Sequence, residues 1–98
     1  MRNVYSYEHQ TCMLLCNEYA NLLALILEPH ADASALVRSK LAFSERNNVG
    51  SITIPAIEAH YLKNVLKNID IKNREQELLV LLFNKITDEI YHIVDDDD

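Results

Sequence analysis

The sequence predicts an all-α protein, a four-helix up-and-down bundle with no sheet. Three observations carry that expectation. One glycine and two prolines in 98 residues are too few for turn-rich β architectures. Apolar residues recur at spacings of three and four along most of the chain. The breaks between periodic segments are short, which favours antiparallel neighbouring helices. The chain reads as one domain over residues 1–98. Its helices fall at about 7–28, 32–46, 54–69 and 74–94, with an acidic tail at 95–98.

The first helix is expected from about Tyr7 to Glu28. Cys12, Leu15, Tyr19, Leu22 and Ile26 form one stripe, and Cys16, Ala20, Leu23 and Leu27 form another beside it. Together they make an apolar arc wider than a surface helix needs. Glu28-Pro29 ends the helix, because the residue before proline is pushed out of the α region. The second helix takes Asp32 or Ser34 as its N-cap, and Leu36, Val37, Leu41 and Phe43 supply its apolar face. Asn47-Asn48-Val49-Gly50 is its C-cap and loop. Val49 to Ile54 alternates weakly and could be a short extended segment, although a connection is the preferred reading.

The third helix opens with Thr53 capping and Pro55 in the first turn, where the missing N–H does no harm. Asn68 to Asn73 is the next turn. The fourth helix starts from Asn73, with Gln76 placed as in a capping box. Leu79, Phe83, Ile86, Ile90 and Ile93 step by four, three, four and three, a seam pattern. Glu77, Asn84, Asp88 and His92 face away from it. This seam and the wide first helix predict a homodimer. No internal repeat is visible.

Fifteen acids against nine bases give a formal charge of −6. That opposes nucleic acid, whose phosphates are met mainly by Lys and Arg. The charge is uneven: +4 from Arg38 to Arg74 and −7 from Glu75 to Asp98. No apolar run after Met1-Arg2 has the form of a signal peptide. Uncharged stretches such as Tyr19 to Leu27 fall far short of the roughly 20 residues a bilayer requires. The expected setting is cytoplasmic, away from membranes, with both cysteines reduced.

His9, Cys12 and Cys16 share a helical stripe, but thiols on apolar stripes read as small buried hydrophobes, so neither a metal nor another cofactor is expected. There is no glycine-rich phosphate loop, nucleophile elbow or metalloprotease histidine pair, and an enzyme is not expected.

Two resemblances meet on one segment. Ala59-His60-Tyr61-Leu62-Lys63 resembles the phosphoacceptor helix of histidine phosphotransfer domains, which are four-helix bundles; Asn64 stands where they commonly place glycine. That resemblance implies His60 as phosphoacceptor, steadied by Lys63. Ile57-Glu58-Ala59-His60, Asn64-Val65-Leu66-Lys67 and Ile71-Lys72-Asn73-Arg74 resemble the recognition helix and following helix of quorum-sensing-type helix-turn-helix regulators, which implies DNA binding.

The bulk features point elsewhere, to a small acidic module that binds a protein partner with a basic surface. The expected role is a stoichiometric inhibitor or regulator: an immunity or antitoxin-like protein, an anti-activator or a phage-encoded inhibitor. Glu75, Glu77, Asp88, Glu89, Asp95, Asp96, Asp97 and Asp98 would steer the partner. Tyr5, Tyr7 and Tyr91 would anchor it.

Overall fold

The computed structural model describes residues 12–95, with side chains as far as residue 89. The chain runs β1 (Cys12–Cys16), α1 (Asn17–Ile26), α2 (Ala31–Arg46), β2 (Ser51–Pro55), α3 (Ala56–Leu66) and α4 (Arg74–Asp95). The two strands pair antiparallel. The expectation of an all-α four-helix bundle without a sheet is therefore overturned.

The reason lies in both strand sequences. Cys12-Met13-Leu14-Leu15-Cys16 is apolar at every position, so it fits a helical stripe and a strand equally well. In the fold it alternates: Met13 and Leu15 are buried, whereas Cys12, Leu14 and Cys16 are exposed. The expected first helix thus divides into β1 and α1, and its start at residue 7 lies outside the described residues. Ser51 to Pro55 makes the matching strand, with Ile52 and Ile54 turned inward. Thr53 belongs to this strand and does not cap α3; Pro55 holds the cap position with extended backbone. The sheet has one buried face, covered by the helices, and one open face.

A repeat that the sequence conceals organises the fold. Each half is a strand followed by two helices. Shifting β1–α1 by 39 positions places Met13 on Ile52, Leu15 on Ile54, Ala20 on Ala59, Leu23 on Leu62 and Leu27 on Leu66, and all ten are buried. The register pairs Cys12 with Pro55, Leu14 with Thr53 and Cys16 with Ser51. The same shift maps Leu14 onto Thr53, so an approximate two-fold axis passes through that pair. The packing obeys it: α2 lies against β2 of the other half, and α4 against β1.

Local signals fix the helix ends. After α2, Asn48 adopts φ 55° and Gly50 φ 87°. The Asn48 N–H donates to the Glu45 carbonyl and the Val49 N–H to the Ser44 carbonyl, a Schellman termination with Asn48 in the left-handed position. At α4, the Gln76 N–H donates to Asn73 Oδ1 at 2.9 Å. The Gln76 side chain accepts from the Lys72 N–H, one residue before the position a capping box uses. Neither Asp32 nor Ser34 caps α2. Helix α2 begins at Ala31, and the Ser34 hydroxyl donates to the Ala24 carbonyl of α1 instead.

The core draws on both halves, with Leu23, Leu27, Val37, Ile54, Leu62 and Phe83 almost fully buried. Among the described residues three polar side chains are buried with it, and each is hydrogen-bonded. Ser34 bonds as above, Ser44 Oγ donates to Asn17 Oδ1, and Thr87 Oγ1 donates to the Phe83 carbonyl.

Candidate functional site

Helix α4 carries most of the residues the sequence nominates, and its two flanks differ. Phe83 and Thr87 are fully buried, and Leu79, Val80 and Ile86 pack partly against the core. The expected dimer seam, as far as Ile86, is thus an internal packing face; the side chains of Ile90 and Ile93 lie outside those described. At 100° per residue, the flank toward α3 carries Glu77 and Asp88. The flank toward α1 carries Glu75, Leu78, Leu82 and Glu89. The Tyr19 hydroxyl of α1 reaches this second side and donates to the Leu79 carbonyl. Burial pushes that phenol up to about 12, with hydrogen bonding to the Phe83 backbone acting in the opposite direction.

The nominated acids do not form one strip. Glu77 is paired with Arg74 at 2.7 Å, and Asp88 with Lys63 of α3. Glu75 and Glu89 are exposed and make no ion pair among the described residues. Tyr91 and Asp95 belong to α4 by backbone, but their side chains lie outside those described. Asp96, Asp97, Asp98, Tyr5, Tyr7 and His9 lie outside the described residues.

The basic middle of the sequence is largely compensated. Of its seven bases, Arg38 pairs with Glu28, Lys40 with Glu58, Lys63 with Asp88, Lys72 with Asp70 and Arg74 with Glu77. Arg46 instead lies 6.0 Å from the centroid of the exposed Phe43 ring. Partly exposed pairs of this kind contribute little stability, but they cancel the local field.

His60 is exposed on α3. Lys63 stands three residues on, where the phosphotransfer resemblance needs it, but its ammonium is committed to Asp88. The four-helix bundle implied by that resemblance is not the fold observed. Cys12 and Cys16 both point to the open face of β1. Four residues of strand separate them by about 13 Å, too far to share an ion. Among the described residues no group of three His, Cys, Asp or Glu could hold a metal, and no helix is long and apolar enough to cross a membrane.

Sequence reasoning missed the exposed leucines. Leu78, Leu81 and Leu82 are 50, 54 and 45% exposed. The signal was present: Leu78 to Phe83 is six apolar residues in a row, more than one face of a helix can bury. A second feature lies at the edge of β2, a groove of about 360 Å³ lined by Ser39, Lys40, Phe43, Val49, Ser51 and Thr53. No protein-family model matches the chain, and neither does any curated protein or solved structure.

Proposed function

We propose that this protein is a cytoplasmic binding module that acts stoichiometrically, as an inhibitor or regulator, on a protein partner with a basic surface. One observation carries the reading. Five of the seven bases of the middle segment pair with acids, whereas Glu89 makes no ion pair among the described residues and the sequence places the densest run of acids, Asp95, Asp96, Asp97 and Asp98, directly after it. A concentrated charge at one end of a rigid helix orients an oppositely charged partner during encounter and speeds association. The exposed thiols of the open sheet face suit a reducing compartment.

The test is kinetic. Crosslinked affinity capture from the source cell supplies the partner, and association is then measured with the purified pair across a range of salt. Replacing Glu89 by Gln and Asp95 to Asp98 by Asn should slow association roughly tenfold at low salt and flatten its salt dependence. An unchanged rate and salt slope would reject the reading.

A further inference from the structure

Helix α4 presents a second motif on its outer flank, independent of the acidic end. Glu75, Leu78, Leu82 and Lys85 follow one another at spacings of three, four and three. They form a single stripe, and all four are exposed. Lys85 is the one base between Glu75 and Asp98. Neither Lys85 nor Glu75 makes an ion pair among the described residues. The two cannot pair within one helix, because ten residues of α-helix hold them about 15 Å apart.

The order acid, leucine, leucine, base complements itself when a second copy runs antiparallel. Centring the crossing on Val80 sets Leu78 of one chain on Leu82 of the other. It also sets Glu75 opposite Lys85 twice, once at each end. This is the alternating three–four packing of antiparallel helices, with opposite charges flanking an apolar centre. The fold itself does not require a leucine at position 78. The corresponding positions on α2, matched through its buried residues, carry Asp32 for Leu78, Leu36 for Leu82 and Ser39 for Lys85.

We infer that the chain self-associates as a two-fold dimer through an antiparallel α4–α4 contact along Glu75, Leu78, Leu82 and Lys85. The last turns of each α4 extend past the start of the partner's helix. The C-terminal ends of the two α4 helices, as far as Asp95, therefore lie at opposite ends of the pair. A single helix pair is at the small end of stable interfaces, so dissociation is expected in the micromolar range.

Sedimentation equilibrium on the full chain between about 1 and 500 µM tests this. The average mass should climb from 11.3 kDa toward twice that value. Leu78→Glu with Leu82→Glu should keep the chain monomeric, with an unchanged circular dichroism spectrum since both side chains are exposed. Glu75→Lys alone and Lys85→Glu alone should each weaken the dimer roughly tenfold, and the double swap should restore it. A chain that stays monomeric overturns the inference and leaves the stripe to another protein or to residues 1–11. A dimer that survives the leucine replacements overturns it as well. A dimer without rescue in the double swap rejects the antiparallel register. The Asp95 to Asp98 replacements alone should leave dimerisation intact, so this result is read separately from partner association.

Discussion

The two halves share an inner pattern and differ outside it. In the first, residues 27–30 connect α1 to α2, and α2 buries Ala33, Ser34, Val37, Leu41 and Ser44 while showing a mostly polar exterior. In the second, the longer connection 67–73 leads to a 22-residue α4, with Phe83 and Thr87 fully buried among its described side chains and three leucines on its outside. The pair Tyr19 and Glu58 makes the same point. They are equivalent under the 39-residue shift, and each reaches the second helix of the other half. Tyr19 places a hydroxyl on the α4 backbone, whereas Glu58 pairs with Lys40 of α2 at 2.9 Å. Symmetry is kept where burial demands it and lost on the outer surfaces.

Removing the large side chain that anchors α4 should have the greatest effect. Phe83→Ala should cost about 3–5 kcal/mol in denaturant unfolding, a large share of the stability of a domain this size. Leu23→Ala and Leu62→Ala test the equivalence itself. Both sites are almost fully buried, and each replacement should cost about 2–5 kcal/mol. A difference above about 2 kcal/mol would show that the halves are not energetically alike.

Smaller effects separate the two bridging residues. Tyr19→Phe should cost about 1 kcal/mol by removing a part-buried hydrogen bond from α1 to the α4 backbone, whereas Glu58→Gln should cost no more than about 0.5 kcal/mol. The same tyrosine gives a pH signature. Its folded value of about 12 lies above the ordinary 10.0 because burial disfavours the phenolate. The folded chain holds a proton that the unfolded chain releases first. This contribution is therefore complete below pH 10 and lost as pH rises through 12. Unfolding measured across that window should fall less steeply for Tyr19→Phe than for the parent chain. The smallest change is at the end of α2, where Asn48→Gly should be neutral or stabilise by a few tenths of a kcal/mol, and Asn48→Ala should cost about 1 kcal/mol.

Much of this was legible from local sequence. The helices at 31–46 and 74–95, the asparagine-rich end of α2 and the cap at Asn73 all rest on neighbours within a few residues. The pairing and β1 were not legible, because β1 is apolar at every position and its alternation is imposed by a partner 35 to 43 residues away, whereas the weak alternation of Val49 to Ile54 already allowed β2. The repeat was hidden for a similar reason. Burial recurs after 39 residues, but identity in the matched core survives only at Ala20/Ala59, Leu23/Leu62 and Leu27/Leu66. At the candidate site, Arg74 and Glu77 stand at a readable helical spacing. The Lys63–Asp88 pair spans 25 residues and needed the α3–α4 hairpin to appear.

The Leu14–Thr53 pairing bears on how the chain reaches its native state. Between the ends of the two strands lie residues 17–50, and closing a flexible loop of that length costs about 3 kcal/mol beyond a fixed term. Here the loop is the α1–α2 hairpin, which forms from contacts close in sequence. Once formed it brings Asn17 and Gly50 together, and the Asn17 N–H donates to the Gly50 carbonyl at 3.1 Å. Nucleation is thereby assigned to the first half, and the strands zip outward from that bond. Substitutions in α1 and α2 should govern the refolding rate, and those in β2 should act mainly on unfolding.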